Sequence, residues 1–204
     1  MKRFNFMFML LLISVVVFSQ SISIDNAVFD TGKVNFKSHS GTGYYSNYLT
    51  MEIPYAPVGK VLKDVENIIG KKLKNRGEAH ITVLTPVEYN DVKDFISIEK
   101  INEIALDCNI QNSNFRILGV GKGSMKDSGK LMETYFIVVE SYNLLNIRVK
   151  ILKYIIENGG DISALDAYNF YPHITLGFTH RDLHIQDGVV KDENAVIIDV
   201  QVKK

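Results

Sequence analysis

The tripeptide His-Ile-Thr occurs twice in this chain, at residues 80–82 and at residues 173–175. Each copy lies in a short segment rich in β-branched residues, 79–84 and 171–179, and such segments are typical of strands. Each of these strands follows a strand and a helix, so a strand–helix–strand unit is repeated once along the sequence. The fold must therefore place two similar units, each with a histidine and a threonine on its second strand.

The spacing of apolar residues predicts the remaining elements. In two long segments apolar side chains recur every three to four residues, which indicates helices with one buried face. Asparagine and glycine residues follow both segments and end the helices. The predicted elements are, in chain order, a strand over 48–55, a helix over 58–73, a strand over 79–84, a helix over 98–107, strands over 115–120 and 134–140, a helix over 144–156, a strand over 171–179 and a final strand pair near 188–190 and 195–202.

This duplicated pattern predicts an α+β fold. We expect one bilobal domain over residues 48–204, in which two antiparallel sheets face a central cleft and the helices lie outside. Two copies of the unit are too few to stack as a solenoid. The composition of the 204 residues, 46% hydrophobic and 23% charged, is that of a globular protein. The single cysteine, Cys108, excludes an intramolecular disulfide.

Residues 1–19 have the pattern of a secretory signal peptide. Two basic residues precede an apolar stretch, and Val17 and Ser19 are small enough for the −3 and −1 positions of a cleavage site. The alternative is a retained membrane anchor, but the apolar run is shorter than the roughly 20 residues that a bilayer span needs. We expect cleavage before Gln20, export to the periplasm or the medium, a polar N-terminal segment over 20–47, and no membrane attachment afterwards.

The charge of the chain argues against a protein held to nucleic acid by bulk electrostatics. Lys and Arg number 23, Asp and Glu number 23, and the formal net charge is zero. Cleavage of the signal peptide would remove two basic residues and leave a mildly acidic protein. Non-specific binding to nucleic acid depends on an excess of basic side chains. We therefore expect a monomer that acts on short substrates and forms no stable nucleic-acid complex.

The paired tripeptides supply four polar groups that suit phosphodiester chemistry. Alternate residues of a strand share a face, so His80 and Thr82 point together, as do His173 and Thr175. One neutral imidazole can accept a proton from the attacking water, and the other, as imidazolium, can protonate the leaving oxygen. The threonine hydroxyls can donate hydrogen bonds to phosphate oxygens. The sequence predicts a phosphoesterase that uses no metal and no other cofactor, and it leaves open which histidine is the acid.

Both strand sequences also resemble a known family. Residues 78–86, EAHITVLTP, and residues 170–179, FYPHITLGFT, are similar to the two signature strands of the 2H phosphoesterase superfamily, which includes LigT-like RNA ligases and cyclic phosphodiesterases. The sequences of both strands are most similar to those of the branch called Swiss-army-knife 2H domains. The resemblance covers most of the chain and implies a bilobal fold with a central cleft.

The resemblance carries expectations about activity and about individual residues. It implies action on 2′,3′-cyclic phosphates, ADP-ribose cyclic phosphate or 2′-5′-linked nucleotides, and thus on a nucleotide or the end of an RNA during RNA processing. By their position in the motifs, His80 and His173 correspond to the acid/base pair. Thr82 and Thr175 correspond to the phosphate ligands.

Four further residues are candidates for contacts with the substrate. Tyr171 precedes the second motif, and His180 and Arg181 follow its strand. Lys122 lies in the glycine-rich segment 119–124, whose spacing does not match a P-loop. For this segment we expect a strand followed by a turn.

Two other functions remain open from the sequence. The first is a non-catalytic module that binds a nucleotide or a phosphosugar in the same cleft. The second is a metallohydrolase that uses His173, His180 and His184, because His180, Asp182 and His184 alternate beyond the second motif. A solvated loop is the simpler interpretation of that alternation.

Overall fold

A computed structural model describes residues 21–203 of the chain. The expected signal peptide, residues 1–19, lies outside the described residues. Within residues 21–203, no helix is long and apolar enough to cross a bilayer. The strands are β1 (Ser21–Asp25), β2 (Leu49–Glu52), β3 (His80–Leu84), β4 (Arg116–Asp127), β5 (Lys130–Glu140), β6 (His173–Phe178) and β7 (Val196–Lys203), and the α-helices are α1 (Tyr55–Ile69), α2 (Pro86–Val92), α3 (Ile98–Asp107) and α4 (Tyr142–Glu157).

The seven strands form one open, mixed sheet in the order β1-β7-β4-β5-β6-β3-β2. Among these strands, β1 and β7 pair in parallel and all other neighbours pair antiparallel. The α+β class is therefore confirmed, but the expected pair of facing sheets is not confirmed. The two units instead meet edge to edge, because β3 of the first unit pairs with β6 of the second. Side-chain periodicity indicates which residues share a face, but it does not indicate which strand edges pair.

The helices cover one face of this sheet. Val61 of α1, and Leu144 and Ile151 of α4, belong to one buried apolar cluster together with Ile81 and Ile174 from the middle of the two motifs. Because side chains alternate along a strand, the histidines and threonines of both motifs lie on the opposite face. The apolar cluster thus fixes which groups are presented on the open side.

Several elements differ from those predicted, each where a local signal was weak or misleading. Residues 21–25 lie in the expected polar segment, yet they form a strand by pairing with the far end of the chain. Residues 188–190 form no strand, whereas residues 119–124 lie within β4 and a turn follows at 128–129, as expected. The unpredicted helix α2 begins at a capping box. The backbone N–H of Glu88 donates to the Thr85 hydroxyl, and the backbone N–H of Thr85 donates to the Glu88 carboxylate.

The segment before β3 pairs with the last residue of β6. The backbone of Lys74 exchanges two hydrogen bonds with that of Phe178, at 2.8 and 3.0 Å. Gly177 is required at this approach, because a Cβ atom there would lie 2.7 Å from the Lys74 carbonyl oxygen. The glycine after the second His-Ile-Thr thus allows the two halves to pack closely.

A buried arginine links the two motif strands, which share a single registered residue pair. Arg148 of α4 is 1% exposed. Its guanidinium donates to the carbonyl oxygen of Val83 in β3 at 2.8 Å and to that of Ala167, in the loop before β6, at 3.0 Å. It also donates to the Asp166 carbonyl and the Glu88 carboxylate, both at 2.8 Å. Arg148 therefore connects β3 to the loop that leads into β6.

Replacing Arg148 by methionine should destabilise the protein strongly. We expect Arg148→Met to lower the free energy of unfolding by about 3–5 kcal/mol, because the buried acceptors lose their donor. Urea unfolding followed by circular dichroism measures this change. The matched control is Arg116→Met, which removes a guanidinium paired with Glu140 at the surface and should cost less than about 1 kcal/mol. Equal, small losses in both variants would contradict the role given to Arg148.

Candidate active site

The open face of the sheet forms the floor of a cleft of about 660 Å³. All four motif residues line it, His80 and Thr82 from β3 and His173 and Thr175 from β6. The antiparallel register of β3 and β6 places His80 beside Thr175 and Thr82 beside His173. Each imidazole therefore lies next to the hydroxyl of the other motif. The walls come from chain segments near residues 45–48, 75–78, 85–88, 169–171 and 181–191.

His173 is held in one orientation by a partner at each ring nitrogen. Its Nδ1 lies 2.8 Å from the carbonyl oxygen of Tyr171, so Nδ1–H donates to that oxygen. Its Nε2 lies 3.1 Å from Nζ of Lys191 and accepts a hydrogen bond from that ammonium. Burial and the Lys191 charge lower the pKa of His173 to about 3. The imidazole is therefore neutral at physiological pH.

A buried ion pair supports this histidine. Lys191 is 3% exposed and donates to Oδ1 of Asp182 at 3.0 Å. The same carboxylate accepts hydrogen bonds from Thr134 at 2.6 Å and from Thr175 at 3.3 Å. Burial opposes ionisation of Asp182, but Lys191 and the hydroxyl of Thr134 lower its pKa to about 2. The two charges of this pair thus compensate each other, and two hydroxyls donate hydrogen bonds to the carboxylate.

His80 has a different environment, in which two carboxylates lie beside the imidazole. Glu52 of β2 is its register partner, and Oε1 of Glu78 lies 4.0 Å from its Nδ1. Burial lowers the pKa of His80, and both carboxylates oppose that shift. Behind Glu52 lies His39, whose Nε2 is 3.6 Å from the Glu52 carboxylate and whose ring stacks on Tyr48 at 4.0 Å. The two motif histidines are therefore unlike in their electrostatics.

Comparison with known families identifies the architecture that carries this cleft. The family described as Swiss Army Knife, 2H phosphoesterase domain, matches residues 47–184, a stretch that includes both motif strands and well over half of the chain. The chain belongs to this family. The resemblance of the two strand sequences is thereby confirmed, and phosphoester hydrolysis is the general activity that the family implies. Comparison with curated proteins and with solved structures gives no match.

The two threonines of this 2H domain differ in what their hydroxyls contact. The hydroxyl of Thr175 donates to Asp182. The hydroxyl of Thr82 lines the cleft and has no hydrogen-bond partner among residues 21–203. Thr82 is therefore the threonine whose donor is available to a phosphate oxygen without breaking an existing contact.

Two of the four predicted substrate contacts line the cleft of the 2H domain. Tyr171 does so, and its carbonyl oxygen fixes the tautomer of His173. Arg181 lies at the rim, where its side chain is 48% exposed and makes hydrogen bonds of 2.6 and 2.7 Å to both carboxylate oxygens of Asp187. A phosphate at the rim would have to compete with Asp187 for this guanidinium.

The other two predicted contacts do not line the cleft. His180 is exposed, because the chain leaves the sheet after Phe178 and the strand periodicity ends there. Lys122 lies on β4, which is separated from β3 by β5 and β6, and pairs with the buried carboxylate of Glu133 at 2.5 Å. The prediction for His180 assumed that the strand continues past Phe178. The prediction for Lys122 rested on the glycine-rich segment alone, whose strand lies away from the cleft.

The predicted metal alternative requires donors that the described chain does not bring together. His184 lines the cleft, whereas His180 does not. Within residues 21–203, no group of three or more His, Cys, Asp or Glu side chains could hold a metal ion.

Three residues of this 2H domain were not singled out for these roles from the sequence. Arg148 interrupts the apolar face of its helix between Leu144 and Ile151, and this interruption was a detectable signal of a buried arginine. Asp182 was considered only as a metal ligand. Lys191 lies in a charged segment with no periodic pattern, so its burial against His173 follows only from the tertiary structure.

The neutral state of His173 should make stability depend on pH. The pKa of His173 is about 3 in the folded protein and 6.5 as the ordinary value, so the unfolded chain binds one more proton between these limits. Its contribution to stability is present above pH 6.5 and is lost by about 1.4 kcal/mol per pH unit as the pH falls towards 3.

His173→Gln should therefore flatten the decrease of the unfolding free energy between pH 6.5 and the acid limit, measured by urea unfolding. The matched control His180→Gln alters an exposed side chain and should retain the wild-type slope. An unchanged slope in His173→Gln would contradict a neutral imidazole at His173.

Proposed function

We propose that this chain is a metal-independent phosphoesterase that hydrolyses a 2′,3′-cyclic phosphate or a 2′-linked phosphodiester of a nucleotide or an RNA end. The observation that carries the proposal is the convergence of both histidines and both threonines of the two motifs on one cleft. Membership of the 2H phosphoesterase family supports the reaction class. The cyclic or 2′-linked substrate follows from the resemblance to cyclic phosphodiesterases.

The cleft suits a ligand the size of a nucleotide. Its volume of about 660 Å³ lies within the range of roughly 300–1,000 Å³ that small-molecule sites occupy. Tyr45 and Tyr48 line one wall and offer aromatic surfaces on which a base can stack. The phosphate would lie on the floor, where Thr82 donates to a non-bridging oxygen and His80 and His173 are within the same pocket.

The reaction needs one proton acceptor and one proton donor. One imidazole takes a proton from water while the water oxygen bonds to phosphorus. The bond from phosphorus to the ribose oxygen breaks, and the other histidine, as imidazolium, gives that oxygen a proton. The product is a phosphate monoester.

A non-catalytic binding module is the second candidate. In the free protein Nε2 of His173 already accepts from Lys191, and the hydroxyl of Thr175 is already engaged by Asp182. Both contacts would have to be exchanged for chemistry to occur, whereas a binding module needs neither group to react.

Turnover assays separate these candidates. We expect the protein to hydrolyse 2′,3′-cyclic nucleotides in EDTA, with products resolved by chromatography. His80→Ala and His173→Ala should each lower kcat by about 10²–10⁴-fold, because each removes one proton-transfer group. The matched control His180→Ala should retain wild-type turnover, since that side chain is exposed outside the cleft.

The other outcomes of this assay are equally informative. Ligand binding by calorimetry without turnover would favour the binding module. Loss of turnover in EDTA with restoration by a divalent ion would refute metal independence. Chromatography also shows whether the product carries a 2′- or a 3′-phosphate, and so which bond breaks.

We further propose that residues 1–19 direct export and that the mature protein is a monomer without stable attachment to nucleic acid or membrane. Mass spectrometry of the protein from the extracytoplasmic fraction should give a chain that begins at Gln20. Ser19→Phe should block cleavage, because the −1 position accepts only small side chains. Recovery of the wild-type chain with Met1 still attached would contradict the proposal.

A further inference from the structure

Lys191 lies beyond residues 47–184, which the family comparison matches, yet it lines the cleft beside His173. The side chain is 4% exposed. Its ammonium lies 3.1 Å from Nε2 of His173, 3.0 Å from the Asp182 carboxylate and 5.3 Å from the centre of the Phe136 ring. A lysine buried to this extent is expected to be paired, and here one of its partners is a motif histidine.

The contact between Lys191 and His173 constrains the protonation of the imidazole. Nδ1–H of His173 donates to the Tyr171 carbonyl oxygen, so the lone pair of the neutral ring is on Nε2. The ammonium of Lys191 donates to that lone pair. A proton on Nε2 would set two N–H donors against each other and would place two positive charges in contact.

The remaining charged groups around His173 act more weakly than this contact. Asp182 favours a positive charge on the imidazole, and His184, when protonated, opposes it. Asp182 and Asp187 both favour the charged form of Lys191, whereas its burial disfavours that form. The carboxylate of Asp182 is shared with Lys191 and two threonine hydroxyls, so it is not free to stabilise an imidazolium.

His80 has no such cation in contact among the described residues. Burial lowers the pKa of His80, whereas Glu52 and Glu78 favour a positive charge on it and His39 and Arg76 oppose one. The sign of the nearest charge is therefore opposite at the two motif histidines.

We propose that Lys191 is a positioning residue that makes the two motif histidines unequal. By donating to Nε2, it keeps His173 neutral, so that His173 is the proton acceptor of the pair. His80, beside Glu52 and Glu78, is then the proton donor. This assignment rests on the proposed function and specifies which histidine accepts the proton and which donates it.

The assignment gives a balanced sequence of proton transfers. The phosphate of the substrate competes with Nε2 for an N–H of Lys191, since a hydrogen bond between two charged groups is the stronger one. The freed Nε2 of His173 takes a proton from water as the water oxygen bonds to phosphorus. The bond to the ribose oxygen breaks, and this oxygen takes a proton from the imidazolium of His80. Exchange with solvent returns both histidines to their starting states.

Nuclear magnetic resonance of ¹⁵N-labelled histidines tests the role of Lys191 without any substrate. In the wild-type protein, Nε2 of His173 should stay unprotonated down to the acid limit of folding. In Lys191→Met, His173 should become protonated at a pH about one to three units higher. The matched control Lys122→Met removes the same charge from an ion pair with Glu133 outside the cleft and should leave His173 as in wild type.

A second variant covers the case in which Lys191→Met does not fold. Lys191→Met leaves Asp182 buried with two hydroxyl donors, and the double variant Lys191→Met/Asp182→Asn removes both charges. In the folded double variant His173 should again titrate above its wild-type pH, since the effect of Lys191 on the imidazole exceeds that of Asp182. An unchanged His173 titration in a folded variant, or a wild-type His173 that protonates near pH 6.5, overturns the proposal.

The titration and the turnover assay fail independently. If cyclic nucleotides are bound but not hydrolysed, the proposed function fails while the Lys191–His173 contact is still measured. If they are hydrolysed, Lys191→Met should move the acid limb of kcat/KM to higher pH and leave the basic limb, which reports His80, in place. Movement of the basic limb instead would reverse the assignment of the two histidines.

Discussion

The guanidinium of Arg148 is the interaction on which the cleft depends most. Two strands carry the reactive side chains, and a single registered residue pair joins them. Arg148, on a helix that packs against β3, donates to the carbonyl oxygen of Val83 in β3 and to that of Ala167 in the loop before β6. A two-histidine site requires its groups to be held within about 0.5 Å. The relative position of the two motif strands is therefore supported by a residue that belongs to neither motif.

The duplication in the sequence does not extend to the surroundings of the motifs. Side by side in the sheet, the two His-Ile-Thr strands present the same groups to one cleft. Carboxylates of Glu52 and Glu78 lie near one imidazole, and the Lys191 ammonium contacts the other. A repeated unit thus acquires two chemical roles through residues that are not repeated.

The sequence predicted the parts of this structure that follow from local periodicity. Alternation along the strands placed the motif residues on one face, and helical spacing predicted 98–107 with the bounds of α3. Local periodicity could not predict which strand edges pair. The expected two facing sheets are therefore replaced by one sheet in the structure. Lys191 and β1 were missed for the same physical reason, because each is defined by a partner distant in sequence.

The parallel pairing of β1 with β7 has a consequence for how the chain folds. Ile22 and Ile24 of β1 are buried, but the strand that pairs with β1 begins at Val196. During synthesis, this pairing must wait until almost the whole described chain has emerged. Contacts between such distant segments form slowly because a long loop must first be closed. The edge of the sheet at β1 is therefore expected to be the last part of the fold to become ordered.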